Sequence, residues 1–105
     1  MQEKLLQIVN HYGIDKQLKY IHSEYFELDE AILNYWSDET YYDEVEKYDK
    51  NHIAEEIADV MVMLKQFQYY YGIEDKNIEE IMNHKIDRQL KRIESEIPEN
   101  ETFKS

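Results

Sequence analysis

The sequence predicts an all-α protein, a bundle of about four helices completed by oligomerisation. Three observations carry that prediction. Glycine occurs only twice, at 13 and 72, and proline only once, at 98, so long stretches contain no helix breaker. Those stretches are rich in Glu, Lys, Leu, Ile and Gln, residues that favour helix. Their apolar residues recur at steps of three and four, the period of one helical face.

The spacing predicts a first helix over about Gln2 to Tyr12 and a second over about Asp15 to Trp36. A third spans about Asn51 to Tyr71, and a fourth about Asn77 to Glu96. The first and third end in matching phrases, Tyr12-Gly13-Ile14 and Tyr71-Gly72-Ile73. In each, glycine takes the left-handed position after the last turn, isoleucine folds back, and acids open the next helix. Asn77 and Glu80 have the spacing of a capping box for the fourth helix. Pro98 closes it, which gives a domain over residues 1–97 and a polar tail over residues 98–105. Between the second and third helices, residues 37–50 carry six acids and two lysines. That segment reads either as a short helix with Tyr41, Val45 and Tyr48 on one face or as a loop.

Each long helix has an apolar seam. It runs through Leu18, Ile21, Tyr25, Leu28, Ile32 and Tyr35 in the second helix, and through Ile53, Ile57, Val60, Leu64, Phe67 and Tyr71 in the third. In the fourth it runs through Ile78, Met82, Ile86, Leu90, Ile93 and Ile97. From Val60 to Leu64 the third helix is apolar on every side, which predicts burial all round. A chain of 105 residues has little mass to achieve that alone, so a homo-oligomer, dimer or tetramer, is expected.

Twenty-four acids stand against twelve Lys and Arg, a net charge of −12. That balance argues against binding a nucleic-acid backbone or an anionic membrane surface. No apolar run approaches the ~20 residues of a membrane span, and the N-terminus lacks the features of a secretory signal. The absence of cysteine excludes disulfides, thiolate metal sites and cysteine nucleophiles. A cytoplasmic location is expected.

Most of the acids, including Asp38, Glu39, Asp43, Glu44, Glu46 and Asp49, fit a solvated surface. Asp59 does not, because it is the lone charge in Ile57-Ala58-Asp59-Val60-Met61-Val62-Met63-Leu64, where burial of a carboxylate needs a partner. Glu56 lies one turn earlier on the same face. An ion pair or cap contact is one explanation. A second pair at the same spacing, Glu24 and Glu27, flanks the seam of the second helix. Packed antiparallel, the two helices would set four carboxylates facing one another. Charges ~5 Å apart repel by roughly 3 kcal/mol per pair at an effective dielectric of about 20, so a cation is needed. An all-oxygen donor set suits Mg²⁺, with Mn²⁺ also compatible. On the fourth helix, Lys85, Arg88, Lys91 and Arg92 stand against the single acid Asp87. Lys85, Arg88 and Arg92 form one stripe, either a solvated face balancing the acids or a phosphate clamp.

The phrases Glu24-Tyr-Phe-Glu27 and Glu55-Glu56-Ile-Ala-Asp59 resemble the E-x-x-E and E-x-x-D motifs of MazG-type nucleotide pyrophosphohydrolases, of the all-α nucleoside triphosphate pyrophosphatase superfamily. Tyr12-Gly13-Ile14-Asp15-Lys16-Gln17-Leu18, Tyr71-Gly72-Ile73 and the basic turns from Lys85 to Arg92 are also similar, so the likeness covers about residues 8–95. It implies Mg²⁺ held by Glu24, Glu27, Glu56 and Asp59, the catalytic residues. The implied reaction cleaves a nucleoside triphosphate between the α and β phosphates, giving the monophosphate and pyrophosphate. Lys85 and Arg92 match phosphate-contacting positions, with Arg88 beside them, and Gln17 matches a place near the nucleotide. Trp36, Tyr35, Tyr41 and Tyr42 are candidates for stacking on the base, or for ordinary seam packing. The chain departs from the family at Ser23, where a second glutamate is common, and in its long acidic, Tyr-rich linker.

Two other readings remain open. A phosphoribosyl-ATP pyrophosphatase has related motifs, and a non-catalytic acidic helical protein could block a basic partner. A di-iron bundle wants E-x-x-H pairs, and none of His11, His22, His52 or His84 has a glutamate three residues before it.

Overall fold

The computed structural model describes the backbone of residues 1–41 and 46–103 and the side chains of residues 1–35 and 50–96. Among the described residues there are four helices and no strand: α1 (Gln2–Tyr12), α2 (Ile14–Tyr41), α3 (Glu46–Tyr70) and α4 (Asp75–Phe103). The all-α expectation holds. The chain divides into two compact units, Met1–Gly72 with α1 to α3 and Ile73–Ser105 with α4.

Both glycines have positive φ, which explains why neither position holds a residue with a Cβ. Gly72, at φ 72°, is left-handed as expected. Gly13 instead has φ 94° and ψ 143°, and its N–H donates to the Val9 carbonyl at 2.8 Å. It is the only residue between α1 and α2, and its own carbonyl accepts from the Gln17 N–H at 3.1 Å.

The helices run longer than their periodicity suggested. Of the acidic linker, residues 37–41 continue α2 and residues 46–50 begin α3, while residues 42–45 lie outside the described residues. The side chains of Trp36, Tyr41, Tyr42, Val45 and Tyr48 also lie outside them. At the start of α4 the Glu74 carbonyl accepts from Asn77 N–H at 3.1 Å and Ile78 N–H at 3.2 Å. Asn77 is therefore inside the first turn, not at its cap. The helix passes Pro98 and reaches Phe103, so residues 99–103 of the expected tail are helical. Proline removes a single backbone bond, and the glutamates and Ser95 before it are compatible with helix.

Within the first unit, α2 and α3 share the broadest interface, and α1 lies mainly against α3. Gln17 meets Gln66, and Glu27 meets Glu56. Ten residues forward along α2 thus correspond to ten residues back along α3, so the two helices are antiparallel.

The face turned inward takes in only half of each apolar seam: Ile21, Leu28 and Tyr35 on α2 and Ile53, Val60 and Phe67 on α3 are half-buried. On α2 the buried residues are Gln17, Glu24 and Ala31, spaced by seven, while Leu18, Tyr25 and Ile32 are exposed. The inner stripe of α2 therefore joins one flank of the seam, Ile21, Leu28 and Tyr35, to the neighbouring Gln17, Glu24 and Ala31. On α3 Glu56, Met63, Gln66, Gln68 and Tyr69 are buried, whereas Ile57 and Leu64, and Tyr71 just past its end, are exposed. Leu5 and Val9 supply the α1 contribution. The expected all-round burial of Val60 to Leu64 does not occur within this unit: Met63 is buried and Val60 half-buried, but Met61, Val62 and Leu64 are exposed. An 11-residue and a 28-residue neighbour do not enclose a 25-residue helix. On α4 Ile78 is half-buried, and Met82, Ile86, Leu90 and Ile93 are exposed. No helix among the described residues is long and apolar enough to cross a membrane.

Candidate metal centre

The antiparallel register of α2 and α3 brings carboxylates together. Glu24 and Glu27 stand one turn apart on α2, and Glu56 faces them from α3. One carboxylate oxygen from each lies within 4.8 Å of the others, a spacing at which a single ion can be held. Glu24 and Glu56 are each only 7% exposed, whereas Glu27 opens to solvent.

The buried pair is incompletely satisfied. Oε1 of Glu24 and Oε1 of Glu56 are sealed from solvent and have no hydrogen-bond partner among the described residues. A buried acceptor without a donor is costly, and native folds seldom keep one without a reason. His52 stands one turn before Glu56, with its Nδ1 3.8 Å from Glu56 and 4.0 Å from the exposed Glu55. Burial pushes the Glu56 pKa up, and the charges of Glu27 and Asp59 push it further, while His52 pulls it down. The Tyr20 hydroxyl donates to Glu24, and that bond with the surrounding negative charge raises the tyrosine pKa.

Asp59 differs from expectation. It is exposed and does not belong to the set of three. Its apolar neighbours Ile57, Met61, Val62 and Leu64 are themselves exposed, so nothing in this unit encloses it. It lines a cleft of about 710 Å³ together with Glu24, Tyr20, Gln17, Met63 and Gln66, and its charge is felt at Glu56 and Tyr20. Lys16 and Lys19 bring positive charge to the same cleft.

Gln17 also lines this cleft and is buried, with Nε2 donating to Gln66 Oε1 at 2.8 Å. Sequence reasoning missed Gln66, Tyr20 and Met63. The signal for Gln66 was available: Asp59, Met63 and Gln66 follow the i, i+4, i+7 pattern of one face, next to Glu56. Lys85, Arg88 and Arg92 are on α4 in the second unit, all exposed. The Trp36 side chain lies outside the described residues.

The donor set fits a hard divalent cation. It is all carboxylate oxygen, two of its members are buried, and two of its oxygens have no other partner. Among the described residues, soft or nitrogen-preferring metals have no comparable thiolate or imidazole set. No protein-family model, no curated protein and no solved structure matches the chain.

Proposed function

We propose that the protein is a divalent-cation-dependent nucleotide pyrophosphohydrolase, cleaving nucleoside triphosphates between the α and β phosphates to release the monophosphate and pyrophosphate. The observation that carries this reading is the pair of buried glutamates, Glu24 and Glu56, which each keep an unpartnered oxygen and converge with Glu27 beside an open cleft. The likeness of the two carboxylate motifs to MazG-type enzymes supports it from the sequence.

Glu24, Glu27 and Glu56 are the residues that would hold Mg²⁺, or Mn²⁺ in its place. Such an ion supplies Lewis acidity toward phosphoryl oxygens and lowers the pKa of a bound water. Tyr20 fixes one carboxylate oxygen of Glu24 by hydrogen bond. Asp59, exposed on the cleft wall, is free to orient a water and take its proton. Lys16 and Lys19 place positive charge on the wall of the same cleft. Lys85, Arg88 and Arg92 on α4 are assigned to phosphate on the sequence resemblance alone.

The same reading includes a homo-oligomer, dimer or tetramer, working in the cytoplasm. Its support is the apolar residues left exposed, Leu18, Tyr25 and Ile32 on α2 and Ile57, Met61 and Leu64 on α3. Exposed apolar residues in such number are the kind of surface that a partner subunit would cover.

The test is pyrophosphate release from a panel of nucleoside triphosphates and phosphoribosyl-ATP, with Mg²⁺ and with EDTA. Metal-dependent release from triphosphates, lost in Glu24→Gln and Glu56→Gln, is the expected result. Release from phosphoribosyl-ATP alone, or from nothing, rejects the proposal.

A further inference from the structure

The cleft has a second polar feature at its other end, away from the carboxylates. Gln17 and Gln66 are 5% and 2% exposed, yet both line the cleft wall. Gln17 Nε2 donates to Gln66 Oε1 at 2.8 Å, and Gln66 Nε2 is directed to Met63 Sδ at 3.7 Å. A thioether sulfur can only accept, so it holds the Gln66 nitrogen toward itself. Gln66 must then turn its oxygen to Gln17, and Gln17 must turn its nitrogen to Gln66. The polarity of the chain Gln17–Gln66–Met63 is therefore set from the methionine end. Gln17 is left to offer its carbonyl oxygen to the cleft.

The surroundings suit a flat heterocycle. Ile8, Val62 and Met63 give apolar wall, and Tyr12 adds a ring. Gln17 precedes Glu24 by seven residues on α2, and Gln66 follows Asp59 by seven on α3, so the two ends of the cleft are about 10 Å apart. A nucleoside bridges such a span, with its base at the amides and its phosphates at the carboxylates.

The geometry points to a base subsite in which the Gln17 carbonyl oxygen, its orientation set by Gln66 and Met63, selects nucleotides whose base carries an exocyclic amino group. Adenine and cytosine present a donor where hypoxanthine and uracil present an oxygen. An acceptor of fixed orientation pairs with the first kind and is left facing a second acceptor by the other. This inference rests on the proposed nucleotide-binding role of the same cleft and names the substrate class within it.

Binding of 5′-monophosphates in EDTA tests the inference apart from catalysis. AMP against IMP, and CMP against UMP, exchange the exocyclic amino donor for an oxo acceptor and the ring nitrogen beside it from acceptor to N–H donor. The expected result is about tenfold tighter binding of AMP and CMP, with a shift of the Gln17 side-chain amide resonance. Gln66→Met removes the anchor and should bring both ratios to about one. Gln66→Glu, which still accepts from Gln17, should keep them. Equal or reversed affinities in the unaltered protein, no binding of any of the four, or ratios that persist in folded Gln66→Met overturn the inference. If the preference holds while no triphosphate is cleaved, only the catalytic reading fails. If triphosphates are cleaved without the preference, only the base reading fails.

Discussion

Glu24 on α2 and Glu56 on α3 face each other as two buried carboxylates, each with an Oε1 that no group among the described residues bonds. Their donor oxygens, with that of Glu27, fall within 4.8 Å. Like charges held this close and stripped of solvent oppose folding unless a proton or a cation intervenes.

A cation should therefore stabilise the fold. Mg²⁺ or Mn²⁺ at a hundredfold excess over its dissociation constant adds about 2.7 kcal/mol, and each kcal/mol raises the melting temperature of a domain this size by roughly 4–8 °C. Calorimetry with Mg²⁺ and with EDTA measures it. An equal Tm in both would remove the case for a metal centre.

The pH dependence has a defined sign. Glu56 has a raised pKa in the folded state, first from burial and then from Glu27 and Asp59. The folded protein thus holds a proton more readily than the unfolded chain. The penalty from ionised Glu56 is absent below the ordinary glutamate range, grows as pH rises toward the folded value, and is complete above it. Without cation, the unaltered protein should lose stability through that window relative to Glu56→Gln. Saturating Mg²⁺ should reverse the difference. Urea titrations of both proteins across the pH range decide it.

The carboxylates should not be equivalent. Glu24→Gln, Glu27→Gln and Glu56→Gln should each weaken Mg²⁺ binding by at least about tenfold, because each removes a donor from the cluster. Asp59→Asn should leave Mg²⁺ affinity within a few-fold and lower kcat instead, since Asp59 stands outside the three. Titration calorimetry alongside turnover separates the two effects. Equal losses of affinity at all four positions would place Asp59 among the ligands.

Exposed apolar residues on α3 give the oligomer a direct test. Met61→Glu and Leu64→Glu replace side chains that are 55% and 53% exposed within one chain, so neither disturbs packing inside it. Sedimentation should show assemblies for the unaltered protein and a shift toward monomer for the variants. A unaltered protein that sediments as a monomer would leave the exposed stripes without this explanation.

Gly13 should resist substitution although there is space around it. A Cβ there would meet nothing within 4 Å, so the obstacle is the backbone at φ 94°. Gly13→Ala should cost about 1–3 kcal/mol in chemical denaturation. A neutral effect would mean that the turn between α1 and α2 relaxes.

Much of this was legible in the chain. The α1 boundaries follow from Met1, Tyr12 and Gly13, and the glycine turns stand where Tyr-Gly-Ile recurs. The shared faces of Glu24 with Glu27, and of Glu56 with Asp59, come from helical period alone. The ends of α2, α3 and α4 were less legible, because acidic and Tyr-rich residues are compatible with both helix and loop. Gln66 was hidden for another reason. A buried amide is recognised by its partner, and Gln17 is 49 residues away.

The acid-rich sequence by itself determined four helices and which side chains share each face. Period 3.6 is a local property, written in every turn. Only the tertiary structure decided which face turns inward. Of the apolar seam of α2, Ile21, Leu28 and Tyr35 turn inward beside the buried Gln17, Glu24 and Ala31, while Leu18, Tyr25 and Ile32 stay exposed. Asp59 is exposed although its neighbours in sequence are apolar. A helix states what lies on each of its sides, but the helices packed against it choose the side that loses water.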